Sequence, residues 1–308
     1  MIRGTISPSV TICLTTKSNH STIVKCIESL LAQTYNNYEI FVTAFDDKSL
    51  QLLEPYREKI RLEQVNLTLP KSYNYMIDSI DTEYIAFTDG DCIVDEHWLQ
   101  HLMAGFETGV SATGGWVGTP PDVNKLQSMI GRDLENKYNH LSRYTKKLPT
   151  MSLCVPTAIV KQLKFDESLP VGQDTDFCYR LPGKIRYVAE AKLWHHHRST
   201  WWSYFCQQYK NAKYSVILFN KNRHMATKGD GITNKIMMVQ PFLMLLSLIP
   251  IVGYFTAFAL MMIWAWEARK ITKIRNEFMY AWLLLYPTRG VAYSLGLVAG
   301  TLKLITKK

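Results

Sequence analysis

Tyr84-Ile85-Ala86-Phe87-Thr88-Asp89-Gly90-Asp91-Cys92-Ile93-Val94 is the stretch on which the fold turns. Its apolar, β-branched and aromatic opening has the pattern of a buried strand, and it runs into two carboxylates separated by a glycine. Acids at i and i+2 of a strand project to the same side. A turn at Gly90 would let both reach one hard cation such as Mg²⁺ or Mn²⁺, with a phosphate-bearing substrate as the second partner. A surface Asp-Gly-Asp turn has the same spacing, so the stretch alone leaves both readings open.

Upstream, residues 10–14 form a strand candidate that enters the polar loop Thr15-Thr16-Lys17-Ser18-Asn19. Ser21 or Thr22 can cap a helix whose Ile23, Ile27, Leu30 and Leu31 share a face. Residues 40–42 give a second strand, followed by Asp46 and Asp47, and residues 61–65 a third. Tyr73, Met76, Ile77 and Ile80 mark the helix before the central strand. This βαβ order predicts a mostly parallel sheet whose ligand edge is formed by the loops after the strands. The absence of Gly-x-Gly-x-x-Gly from the opening argues against a dinucleotide oxidoreductase.

Downstream, residues 95–106 read as a helix and Gly114-Gly115-Trp116-Val117-Gly118 as a strand end. Leu126, Ile130, Leu134 and Tyr138 make a helical stripe, and residues 151–155 another strand. Gly172-Gln173-Asp174-Thr175-Asp176-Phe177 starts a helix, where both acids suit the first turn as well as they suit catalysis. Residues 185–188 form the last strand, ahead of Trp194-His195-His196-His197, and residues 199–218 a helix.

Residues 236–266 contain no Asp, Glu, Lys, Arg or His, a run longer than the roughly 20 apolar residues that span a bilayer. Residues 278–302 are interrupted only by Arg289. The expectation is a catalytic domain over 1–235 and membrane-anchoring helices over 236–308, with the catalytic domain facing the cytoplasm. Residues 198–235 and 267–308 each carry a net charge of +6, which leaves −3 of the total +9 for residues 1–197. The basicity therefore points to anionic lipids rather than nucleic acid. Two full spans would place Arg269, Lys270, Lys273 and Arg275 on the far side, against the positive-inside tendency, whereas a bend at Pro250 and Gly253 would return them as a hairpin. Arg289 suits an interfacial helix better than a deeply buried one. No signal-peptide pattern opens the sequence, and the six cysteines have neither zinc nor disulfide-framework spacing.

The order of these features resembles family 2 glycosyltransferases with an A-type, Rossmann-like α/β fold. Ser29-Leu30-Leu31-Ala32-Gln33-Thr34-Tyr35 is similar to the family's Ser-Leu-x-x-Gln-x-Tyr segment. Asp89-Gly90-Asp91 matches its metal and sugar-diphosphate motif, and Asp174 its catalytic carboxylate, with Gln173 in place of the usual Glu. Tyr73-Asn74 stands where the family has Arg-Asn, so the Arg is missing. The resemblance implies a nucleotide-contacting set of Thr15, Asp46, Asp47, Asn74 and Asp89, a Mn²⁺ or Mg²⁺ ion on Asp91, Asp89 and His195, and Asp174 as the base. For His195, a packed or surface histidine is the competing reading. The implied reaction is inverting transfer of a sugar from a nucleoside diphosphate to a hydroxyl acceptor, lipid-linked or another membrane glycoconjugate. The rival reading is a noncatalytic sugar-nucleotide-binding or scaffold protein.

Overall fold

The computed structural model describes residues 7–222 and 235–306. The later part of the basic segment expected over 198–235 lies outside the described residues. The chain divides into two compact units, residues 1–118 with 141–196 and residues 119–140 with 197–308.

The first unit is built on β1 (Val10–Thr16), α1 (Ile23–Leu31), β2 (Tyr38–Ala44), α2 (Asp47–Leu53), β3 (Arg61–Gln64), α3 (Leu69–Asp78) and β4 (Tyr84–Asp89). There follow β5 (Cys92–Val94), α4 (Trp98–Ala104) and β6 (Val110–Gly118). After α5 (Lys125–Tyr138), which belongs to the other unit, come β7 (Tyr144–Thr145), β8 (Leu153–Pro156), α6 (Thr157–Leu163), α7 (Gln173–Arg180) and β9 (Lys184–His195). The sheet runs β3-β2-β1-β4-β8-β6-β9-β5, with β7 paired to β9. The first four strands are parallel, β8 is antiparallel to both β4 and β6, and β9 is parallel to β6. The sheet is thus mixed but mostly parallel, as the alternating strand and helix pattern implies.

Burial explains why these segments are strands. Ile12, Cys13, Leu14, Ile85, Ala86 and Phe87 are fully inaccessible, as expected of central strands covered on both faces. Ile23, Cys26, Ile27 and Leu30 recur at helical spacing and are the buried face of α1. The stretch 84–94 is two strands rather than one. β4 stops at Asp89, and Cys92, Ile93 and Val94 leave to pair antiparallel with β9.

The second unit consists of α5, α8 (Trp201–Lys221), α9 (Lys235–Leu246), α10 (Val252–Ile271), α11 (Arg275–Tyr280), a π-helical turn (Ala281–Leu285) and α12 (Tyr286–Thr306). Here the sequence expectation is corrected. Among the described residues, no helix is long and apolar enough to cross a membrane. The uncharged run 236–266 is broken at 247–251, where Ile251 takes φ +67, into α9 of 12 residues and the start of α10. At 1.5 Å per residue α9 reaches about 18 Å, short of a hydrocarbon core of about 30 Å. The helical membrane region and the membrane localisation inferred from it do not stand.

Arg289 is also placed differently from the interfacial position expected of it. It is 6% exposed, with its guanidinium 3.1 Å from Asp133 of α5 and 3.0 Å from Glu267 of α10. Gln240 donates to Glu267, Trp264 donates to Gln240, and Tyr286 donates to Asp133. Around this polar centre pack Leu126, Met129, Leu260, Ala268, Ala281 and Leu285. The apolar residues that suggested lipid are in part the core of a helical unit.

Candidate active site at the carboxyl edge of the sheet

β1 and β4 lie side by side with Thr15 opposite Asp89, so the loop after β1 and the Asp89-Gly90-Asp91 turn share one edge of the sheet. The two are closely packed. A Cβ on Gly90 would lie 3.0 Å from Asn19 Nδ2 and 3.1 Å from both Ile23 Cδ1 and Thr16 Oγ1, so any side chain there would push these neighbours by a few tenths of an ångström. Thr22 Oγ1 donates to the Gly90 carbonyl at 2.9 Å, and Cys26 Sγ approaches the Asp89 carbonyl at 3.5 Å.

Asp89 accepts a hydrogen bond from the Tyr73 hydroxyl at 3.1 Å. Burial raises its carboxyl above the usual carboxylate range. Asp91 adds to the rise, His195 and the Tyr73 hydrogen bond oppose it, and Asp174 contributes a further upward push. The three acids from separate positions in the sequence therefore share one electrostatic environment. Asp91 is fixed at its backbone, where its carbonyl accepts from His196 N at 2.9 Å, and its Oδ1 lies 3.5 Å from His195 Nε2. His195 reaches it because Cys92 of β5 pairs with His195 at the end of β9. Burial lowers the pKa of the neighbouring His196, with His195 and Lys25 acting in the same direction and Asp91 against them.

Asp174 sits in the first turn of α7, which enters through Gly172 at φ +85. Its Oδ1 accepts from Thr175 N at 2.7 Å and from Thr175 Oγ1 at 3.3 Å, leaving Oδ2 outside this pair of bonds. Asp176, two residues on, is 1% exposed and receives Arg180 Nε at 2.8 Å, while that guanidinium also bonds the Leu163 and Lys164 carbonyls. The two acids left open by the sequence are thus distinguished by surroundings, one partly exposed at the helix start and one consumed in an internal ion pair.

The nucleotide-contacting candidates are dispersed. Thr15 is 6% exposed beside Asp89. Asp46 caps α2, taking Ser49 N and Ser49 Oγ at 2.9 Å, Ser18 N at 3.0 Å and His20 Nε2 at 2.7 Å. Burial would raise its carboxyl, but these bonds hold it far below the ordinary range. Asp47 is exposed and accepts from Gln64 Nε2. Asn74 faces away from a ligand role: its amide bonds both the nitrogen and the carbonyl of Phe165, at 2.8 and 2.9 Å, and reaches Glu167 at 3.1 Å. Tyr73, which the sequence offered only as a departure from an expected Arg, is the side chain that touches Asp89. Its place among Met76 and Ile77 on the apolar face of α3 gave core burial as its only sequence signal.

Among the described residues, no three His, Cys, Asp or Glu side chains form a group that could hold a metal ion. Asp89 and Asp91 still suit a hard divalent cation, which commonly takes one or two protein carboxylates and completes its shell with water and substrate phosphates. The Asp91 carboxylate lies 3.5 Å from His195 Nε2, directly after the strand end at Asp89, so the two acids leave the sheet edge together.

Residues 11–168 match the model of glycosyl transferase family 2, and the chain belongs to that family. Among solved structures, the chain is similar to the mannosyltransferase PcManGT from Pyrobaculum calidifontis in complex with GDP-Man and Mn²⁺. That likeness has a TM-score of 0.60 at 15% identity and covers 99% of this chain and 89% of that one. It is also similar to residues 1–349 of S. aureus TarS in complex with UDP-GlcNAc, with a TM-score of 0.50 at 13% identity, covering 96% of this chain and 92% of that one. At these identities the likeness shows the fold. A search of curated proteins found no match.

Proposed function

We propose that the protein transfers a sugar, with inversion at the anomeric carbon, from a nucleoside-diphosphate sugar to a hydroxyl of a lipid-linked or other glycoconjugate acceptor. The observation that supports this reading is geometric: β4 ends at Asp89 opposite Thr15 of β1, and Asp91 follows within 3.5 Å of His195 at the carboxyl end of these parallel strands. In an open α/β sheet that edge is where ligands bind.

In this reading the free oxygen of Asp174 takes the proton of the acceptor hydroxyl. The hydroxyl oxygen bonds the anomeric carbon from the face opposite the diphosphate, and the bond to the diphosphate oxygen breaks. Thr175 holds the other carboxylate oxygen of Asp174, so the base enters in one orientation. Asp89 and Asp91 are the residues that would hold Mn²⁺ or Mg²⁺. Such an ion, when bound, supplies neutralisation of charge on the departing diphosphate. His195 lies against Asp91 and steadies its carboxylate. Thr15 is the candidate closest to the donor, by its position opposite Asp89. Asp46 acts on the donor through the loop it ties rather than by contact, since its bonds go to Ser18, His20 and Ser49. The amide of Asn74 is engaged by the Phe165 backbone, in the loop that enters α7, and makes no donor contact in this reading.

An amphiphilic acceptor is supported by the large apolar side chains left exposed around the start of α10. Leu248, Ile251, Tyr254, Phe255 and Phe258, close together in the sequence, are each more than two-thirds exposed. Arg198, Lys210, Lys213 and Lys221, at and before α8, favour anionic lipid groups on such an acceptor.

Asp174→Asn tests the assignment of the base. Turnover should fall about 10²- to 10⁴-fold, the usual contribution of a positioned general base, while donor affinity measured by calorimetry stays within about twofold. Unchanged turnover would remove Asp174 as the base.

A further inference from the structure

The Tyr73 ring is fully buried at the centre of an aromatic row. It meets Phe87 of β4 edge-on with centroids 5.2 Å apart, and Phe165 at 5.1 Å. Phe165 stacks on Phe177 of α7 at 4.6 Å with an interplanar angle of 26°. At one end of the row, the Tyr73 hydroxyl donates to Asp89 Oδ1 at 3.1 Å. At the other end, Phe177 lies three residues beyond Asp174 on the same helix. Asn74 locks the joint between them: its amide pairs with both backbone polar groups of Phe165, a bidentate grip that fixes the loop entering α7.

Taking Asp89 as a donor-side ligand and Asp174 as the base, as proposed above, we infer that Tyr73 and Asn74 are positioning residues that set the placement of these two carboxylates relative to each other. Tyr73 aims Asp89 by occupying one of its oxygens, which directs the other toward the donor. Asn74 fixes Asp174 through the Phe165–Phe177 stack. Two adjacent residues of α3 thus connect the donor side of the reaction to the acceptor side, without either touching substrate. Interior packing transmits such placement because a close-packed ring has few other positions to take. A catalytic group displaced by as little as 1 Å loses much of its effect.

The two variants should fail in different ways. Tyr73→Phe keeps the ring and removes the hydroxyl. It should raise the donor KM and the half-saturating Mn²⁺ concentration about 10-fold or more, the scale of one hydrogen bond to a charged group. Asn74→Ala should lower kcat about 10-fold or more while leaving donor KM and Mn²⁺ half-saturation within about twofold. If Asn74→Ala does not fold, Phe177→Leu severs the same link by removing the ring stacked on Phe165 and should give the same kcat-only loss.

A Tyr73→Phe protein with unchanged donor KM and Mn²⁺ half-saturation, alongside an Asp174→Asn protein that has lost turnover, would overturn the inference and leave the proposed reaction intact. So would losses in both variants that merely follow the folded fraction measured by thermal melting. If Asp174→Asn turns over normally, the proposed roles of the acids fail, and the inference falls with them.

Discussion

Asp46, nominated in the sequence for contact with the nucleotide base, carries a structural task in the fold. It follows the second strand, and its oxygens accept from two backbone nitrogens, a serine hydroxyl and a histidine. It therefore joins the loop after β1 to the start of α2. Asp46→Ala should destabilise the protein by about 1–2 kcal/mol through loss of the cap, whereas Asp46→Asn, itself a good cap, should cost clearly less. Urea unfolding of both variants checks this, and equal losses would count against the capping role. Asp89, Asp91 and Asp174 were legible because residue type and order suffice to nominate them. Tyr73 was not legible as a contact of Asp89, because the pairing joins a helix face to a strand end and depends on where the phenol lands after folding. Asn74 was legible as a polar residue with a task, but its partner is the backbone of Phe165, 91 residues away, which no local pattern announces.

At the scale of elements, strands β1, β2, β3, β4 and β8 and helices α1, α3, α5 and α7 follow from periodicity and burial. β5 and β7 are three and two residues long and exist through pairing with β9, so their own sequences carry little of the signal. The helices after residue 235 were misassigned for a physical reason. A run without charge has the same composition whether its neighbours are lipid chains or other helices, and hydropathy does not tell the two apart. The partners of Arg289 do, because they come from α5 and α10.

That buried network also gives a pH prediction. Burial alone would raise the Asp133 carboxyl, but Lys137, Arg289 and the Tyr286 hydroxyl bring it down to about 2, from an ordinary value of 3.8. A depressed folded-state value contributes stability above the unfolded value, and that contribution is lost as pH falls toward the folded one. Asp133 should therefore contribute about 2 kcal/mol near neutrality, declining between about pH 4 and pH 2. Removing it leaves Arg289 with less compensation, so Asp133→Asn should lower stability at pH 7 and flatten its fall across that acid window. Thermal melts across the range provide the check, and parallel curves for the two proteins would contradict it.

For the molecule as a whole, the partition of the chain matters more than the count of elements. The strand-forming unit is interrupted after Gly118, resumes at Leu141 and ends at His196, and α5 folds with the C-terminal helices. The C-terminal region is therefore a structural companion of a helix encoded in the middle of the chain. The candidate site residues Asp89, Asp91, Asp174 and His195 all belong to the sheet unit. In the proposed reaction, Asp89 and Asp91 form the donor end of the glycosyltransferase site. The most direct measurement is binding and hydrolysis of UDP-, GDP- and dTDP-sugars by the full chain, with and without Mn²⁺ or Mg²⁺, beside Asp91→Ala. The account expects one nucleoside diphosphate to be bound and released in a metal-dependent manner, with that dependence lost in Asp91→Ala. Folded wild-type protein that binds no donor under any of these conditions, or an Asp91→Ala protein with an unchanged metal titration, would contradict it.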